Sequence, residues 1–258
     1  MNRNLVLLII LVFVFHSPVF AGENSHESNT VHGGAKAHWA YSGNAGPEHW
    51  ADLDSKFSAC SAGKNQSPVN LADFIEADLK PISFQYKAGG RLATNNGHTV
   101  QVDYDPGSMI RVEDRIFNLK QFHFHAPSEN KVKGTSYPME VHFVHADSSG
   151  NLAVVGVLFV EGERNQELDK IWRVMPKSAG AKARLENVVA AAAILPKDQE
   201  YYRFDGSLTT PPCTEGVIWL LMKNPVSVSK AQIDYFRSIM GGDTNRPVQA
   251  VNARTVLK

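Results

Sequence analysis

The sequence predicts a single α+β domain dominated by β-structure, with many strands and few helices. Three observations carry that expectation. Short runs at 99–104, 109–112 and 116–119 are rich in apolar and β-branched residues and are bounded by Gly, Asp and Pro. Longer continuous apolar runs at 152–160 (with one Gly) and 217–222 suit central strands buried on both faces. Only two stretches carry helix signals, and 38–258 contains no internal repeat and no linker.

In chain order, residues 1–4 carry one positive charge, Arg3, and 5–15 is an unbroken apolar run too short to span a bilayer comfortably. Val19-Phe20-Ala21 ends that stretch like a cleavage site, so 1–21 reads as a secretory signal peptide cut after Ala21. No later segment is long and apolar enough to cross a membrane, and the expected location is periplasmic or secreted. Residues 22–37 form a polar leader expected to be disordered; its His26 and His32 sit in a solvated setting that argues against a metal site. The domain is expected over 38–258. Across the chain, 26 basic residues balance 26 acidic ones, and losing Arg3 with the signal leaves one net negative charge. That balance gives no reason to expect nucleic acid or acidic lipid as partner.

Cys60 and Cys213 are the only cysteines. Export to an oxidising compartment favours pairing them over leaving two free thiols. A loop that long gives about 5 kcal/mol on chain-entropy arithmetic, as a ceiling from which strain subtracts. The bridge would also pin the nearby loop Ser207-Leu208-Thr209-Thr210-Pro211-Pro212.

Helices are expected at 165–174, ending at Pro176, and at 229–240. The second has Ser229 at the N-cap, Gln232 three residues on, apolar Ile233, Phe236 and Ile239, and Gly241 as terminator. Asn95-Asn96-Gly97-His98 reads as a turn presenting a histidine, and 147–150 as a second turn.

The chemistry concentrates in Gln121-Phe122-His123-Phe124-His125 and Glu140-Val141-His142. On a strand, alternate side chains share a face, so His123 and His125 point one way and Phe122 and Phe124 the other. A lone His-x-His is commonly a surface accident. Here the flanking residues are apolar, a third histidine follows on another strand-like run, and Gln121 and Glu140 each stand two residues before a histidine. They are placed to accept the second ring N–H of His123 and His142. Three imidazoles with a fourth position open fit a catalytic zinc site better than a closed structural one.

Taken with Gly46-Pro47-Glu48-His49-Trp50, Gln66-Ser67-Pro68-Val69-Asn70, the Asn95–His98 turn, the Ser207–Pro212 loop and Asn245-Arg246-Pro247-Val248-Gln249, these motifs give a resemblance. From about His38 to the C-terminus the chain resembles the α-class carbonic anhydrases, most of all the exported bacterial members. The resemblance implies a large, twisted, mainly antiparallel sheet with short peripheral helices and the metal at the bottom of a conical cavity. It implies reversible hydration of CO2 to bicarbonate and a proton by attack of zinc-bound hydroxide, with esterase side activity. His123, His125 and His142 would bind Zn²⁺. Gln121 and Glu140 would hold two of the rings, and a backbone carbonyl, assigned to Asn245, would hold His125.

In the same resemblance, Thr209 would accept the proton of the hydroxide and donate to Glu129, while Thr210 would help hold bicarbonate. Val144, Val154, Leu208, Val217 and Trp219 would form the apolar CO2 pocket. Tyr41, Asn96 and Gln101 would order water between the metal and His98, the expected proton shuttle. The physical logic agrees: CO2 is uncharged, zinc brings the pKa of bound water near neutrality (an established property of carbonic anhydrase itself), and histidine titrates near the working pH. Inhibitory anions and sulfonamides are implied as ligands, and a homodimer is left open.

One residue departs from the family pattern: Asn130 stands where members commonly carry histidine. Two other classes compete. A cupin would use His123, His125 and Glu129 as His-x-His-x-x-x-Glu, but Phe117 stands where the cupin pattern wants Gly, and its last histidine lies much further along than His142. A zinc-binding protein without turnover is separated from an enzyme by a CO2 hydration assay.

Overall fold

Arg115–His125 is the longest strand of the described residues, and the rest of the fold builds outward from it. The structure is a computed structural model describing residues 38–258. The expected signal peptide and leader lie outside the described residues. Among these, no helix is long and apolar enough to cross a membrane.

The sheet is 13-stranded. Its continuous path runs Lys182–Val189, Gly90–Asn95, Val100–Tyr104, Arg115–His125, Met139–Ala146, Leu152–Glu161, Glu215–Met222, Tyr201–Ser207, Val256–Leu257 and Phe74–Ile75. Most neighbours are antiparallel. Leu152–Glu161 pairs in parallel with Glu215–Met222 and with Val226–Val228, and Val256–Leu257 pairs in parallel with Phe74–Ile75. The expected β-dominated α+β architecture is what the chain adopts.

Alternation gives the central strands two different faces. Phe122, Phe124, Val141, Phe143, Val155 and Val157 are all fully buried on one of them. The two longer helices, Gln166–Trp172 and Lys230–Met240, cover that face with Leu168, Ile171, Trp172, Ile233 and Phe236. Phe124 meets the Trp172 ring edge-on at 5.1 Å. Truncating a phenylalanine buried this way costs about 3–5 kcal/mol.

The opposite face carries the polar groups, and a bulge sets their phase. Leu119 pairs with His145, but Gln121 pairs with Val144, so Lys120 is an extra residue. After it, His123 stands directly across from His142 and His125 across from Glu140. Gln101 lies across from His123 on the other side, completing a row of three. The adjacent row on the same face is Gln121, Val144, Val154 and Trp219. Polar and apolar rows therefore lie side by side.

The helix signals resolve cleanly. Ser229 and Gln232 form a reciprocal capping box, and Gly241 ends the helix in the left-handed conformation at φ 75°. Asn165 caps the other helix by accepting from the amides of Glu167 and Leu168. The expected separate strand at 116–119 is instead the first part of Arg115–His125, because nothing at 120 breaks the ladder beyond the bulge. The strand Lys182–Val189 gave no sequence signal, since as a sheet edge it keeps a mixed polar pattern.

Candidate metal centre

His125 and His142 are buried and His123 partly so, and one nitrogen of each lies within 4.8 Å of the others. Each remaining ring nitrogen has a neighbour. His123 Nδ1 is 2.9 Å from Gln121 Oε1, and His125 Nδ1 donates to the Thr244 carbonyl. His142 Nε2 lies 2.9 Å from Glu140 Oε1. That last contact is close but off the line a hydrogen bond needs, since His142 Nε2 has no hydrogen-bond partner.

The His125 contact corrects one expectation. The carbonyl belongs to Thr244, not Asn245. Thr244 is locked to residue 126 at both ends: its amide donates to Ala126 O, and its hydroxyl accepts from Ala126 N. That pairing fixes the loop one residue earlier than the motif match placed it. Asn245 lines a separate surface cleft with Tyr41 and His49.

Burial sets the protonation of the cluster. It depresses the pKa of His123 and His142 well below the ordinary value, and His125 adds its repulsion to both. Burial also lowers His125, against the opposing pull of the Thr244 carbonyl and Glu140. The rings are thus neutral at pH 7, the form that ligates a metal. His125 Nε2 is buried without any hydrogen-bond partner, which costs free energy unless something occupies it. Neutral, convergent imidazoles with an orphaned donor atom fit a divalent ion such as Zn²⁺.

Glu129 stands at the edge of this cluster, with Oε2 3.5 Å from His125 Nε2 and 3.8 Å from His142 Nδ1. Burial pushes its carboxyl up to about 8, while the Arg246 amide and the Thr209 hydroxyl favour the ionised form. Its Oε1 accepts from the Arg246 amide at 2.8 Å. Thr209 is buried in the loop between Tyr201–Ser207 and Glu215–Met222, tied by Leu208 N to Thr214 O and Cys213 N to Thr210 O. Cys213 is bonded to Cys60, so the two thiols are joined as expected.

Val154, Val217 and Trp219 form one buried apolar cluster, with Val144 and Leu208 packed against it. Trp219 meets the His142 ring edge-on at 4.8 Å and donates to Ser207 O. The five expected pocket residues are therefore contiguous and border the imidazoles.

A cavity of about 120 Å³ opens on the other side, lined by Tyr41, Asn96, His98, Gln101, His123, His125 and Thr210 among others. A wider cleft of about 470 Å³, lined by Glu76, Asp78, Glu200 and Lys223, contains no imidazole. Size alone does not mark the site. Within the smaller cavity, Asn96 Oδ1 already accepts from the His98 and Thr99 amides, and Gln101 donates to Asp103. Their free polar atoms are Asn96 Nδ2 and Gln101 Oε1. The Tyr41 hydroxyl is buried without a partner, and burial, followed by the Glu129 charge, raises its pKa well above 10.0. His98 stacks on Trp39 at 3.6 Å and 9°, half-buried, and its pKa is lowered by burial and then by His38.

Two contributors, Thr244 and Arg246, have no role assigned from the sequence, and Asn130, expected to lie behind the ligands and still hydrogen-bond, is the third to support the site. Thr244 supplies the His125 acceptor. Asn130 and the backbone at Glu129 hold Glu140. Arg246, 1 % exposed, binds Gln66, Ser67 O and Cys60 O through its guanidinium. Arg246 and Gln66 lay in recognised motifs, which was the only signal available for them.

Residues 45–258 match the family model of the eukaryotic-type carbonic anhydrases. A carbonic anhydrase of Neisseria gonorrhoeae is 47% identical over 226 residues, 87% of this chain and 89% of that protein. The α-carbonic anhydrase of Thermovibrio ammonificans, solved with the inhibitor sulfanilamide, superposes with TM-score 0.85 at 49% identity, covering 87% of this chain and 100% of that one. A hyperthermostable carbonic anhydrase from a hydrothermal vent chimney gives TM-score 0.84 at 54% identity, covering 85% and 99%.

Proposed function

The chain belongs to the eukaryotic-type carbonic anhydrase family, enzymes that hydrate CO2, and we propose that it works through a zinc ion held by His123, His125 and His142. The observation that carries this reading is the convergence of three neutral imidazoles within 4.8 Å. Gln121, the Thr244 carbonyl and Glu140 fix the rings from behind, leaving His123 Nε2, His125 Nε2 and His142 Nδ1 as the ligand atoms. When bound, zinc supplies a Lewis acid that makes a hydroxide nucleophile available near neutral pH, as is established for carbonic anhydrase.

The chain's own residues do the rest. A cation in the site would favour the ionised form of Glu129, and the Thr209 hydroxyl would donate a hydrogen bond to it, which leaves the Thr209 oxygen only to accept. Thr209 would thereby orient the nucleophile's O–H, leaving its lone pair toward the substrate. CO2 carries no charge, and Val144, Val154, Leu208, Val217 and Trp219 offer it a water-poor wall beside the imidazoles. The Thr209 amide and Thr210 receive the developing bicarbonate charge. Tyr41, Asn96 and Gln101 order water along the cavity, and His98 takes the proton at its mouth.

Residues 1–21 act as a signal peptide in this reading, 22–37 as a leader and 38–258 as the enzyme domain, delivered to the periplasm or outside. The joined Cys60 and Cys213 support an oxidising destination. The test of function is stopped-flow CO2 hydration by the purified protein during titration with sulfanilamide. The expected result is turnover that falls to background at one sulfonamide per chain. Absence of hydration by metal-loaded protein would contradict the reading.

A further inference from the structure

Glu140 is fully buried beside His142, and its carboxylate is held by three donors before the imidazole is counted. The amides of Glu129 and Asn130 both reach Oε2 at 2.9 Å. The Asn130 side-chain Nδ2 reaches Oε1 at 2.8 Å. Oε1 is also the atom that faces His142 Nε2. A methyl at Gly156 would come within 3.1 Å of that same oxygen and 2.8 Å of Leu221, so the missing side chain there leaves Glu140 its space.

Asn130 cannot be turned around. Its Oδ1 accepts from the Val69 amide at 3.1 Å, and a backbone N–H can only donate. Nδ2 must therefore face Glu140. The position demands a donor on one side and an acceptor on the other, across a short and fully buried span. An amide meets that demand, and so does a neutral imidazole, which carries one N–H and one bare nitrogen. A carboxylate does not, because it would set two acceptors against each other.

We propose that Asn130 is a positioning residue for the metal: by holding Glu140 from behind, it keeps His142 turned toward the other two imidazoles and slows metal loss. The inference rests on the three-histidine zinc reading above.

The test is zinc release into excess chelator from the wild-type protein and from Asn130→Asp, Asn130→Ala and Asn130→His, with the folding of each metal-free protein followed by circular dichroism. Asn130→Asp keeps the shape and reverses the donor. Asn130→Ala removes the donor without adding charge, and it decides the matter should the aspartate variant fail to fold. Both should release zinc faster, by about tenfold, the lower end of the affinity loss found when a direct partner of a metal ligand is removed, a range to which carbonic anhydrase contributed. Asn130→His should stay close to wild type. A Co²⁺-substituted Asn130→Ala protein should also show an altered visible spectrum, which a purely structural role would leave unchanged. Zinc release within twofold of wild type from folded Asp and Ala variants would overturn the proposal. A wild-type protein that binds no zinc would overturn the underlying metal reading, and this inference with it.

Discussion

His98 shares a cavity with His123 and His125 of the three-imidazole cluster, yet the cluster and His98 are built in opposite ways. His123, His125 and His142 stand on adjacent sheet strands, each with its second nitrogen against a fixed neighbour. His98 stands after a turn and is held by a ring face, stacked on Trp39 at 3.6 Å. A metal ligand must not move, so the sheet ladder and the groups behind it define its direction. A proton carrier must exchange with solvent, so stacking, which tolerates rotation and sliding, suits it better. The two pKa environments differ in the same sense. Burial pushes His123 and His142 well below the ordinary range, while half-buried His98 is lowered by its partial burial and then by His38.

Substitutions on either side should separate the two. The largest effect is expected from His125→Ala, which removes a fully buried ligand: zinc and hydration activity should both fall to background, read by elemental analysis and stopped flow. Full, tightly held zinc in that variant would dissolve the distinction. Next comes Thr209→Ala, which should keep its zinc yet lose about a hundredfold in kcat/KM, the scale for one oriented group at a reacting centre. Wild-type turnover there would remove the Thr209–Glu129 relay.

His98→Ala should act differently in kind. It should lower kcat by about tenfold or more in weak buffer and leave kcat/KM nearly unchanged, because only proton export is slowed. Added imidazole should restore kcat. Equal loss in both parameters without rescue would place His98 with the rigid group instead.

The smallest expected effect concerns pH. His98 accepts a proton only when neutral, so kcat for hydration rises with pH through its pKa. That pKa is lowered from 6.5 by burial and by His38, and the plateau should therefore be reached at lower pH than for a free imidazole. His38→Ala removes the repulsion and should move the midpoint of the kcat profile upward. A downward shift would contradict the assignment.

How far the sequence could be read follows the same division. Alternation in Gln121–His125 was enough to put two histidines on one face with a glutamine behind them, since a strand leaves no other choice. The phase against His142 depended on the Lys120 bulge, which one extra residue in a ladder does not announce. The Thr244 carbonyl was misplaced by one residue because a loop's hydrogen bonds follow from its tertiary partner, here residue 126, and not from its own composition. Asn130 looked like a deviation until the Val69 amide and Glu140 stood on either side of it. The stack of His98 on Trp39 joins residues far apart in the chain, and neither one alone signals it. Helix ends such as Ser229 and Gly241 were legible because capping is a local interaction.

The most direct test of the account is a zinc titration of the metal-stripped protein, with CO2 hydration measured at every addition. The account predicts that activity rises from background in proportion to bound zinc and stops rising at one zinc per chain. Full activity in the stripped protein, or one tightly bound zinc without any hydration, would contradict it.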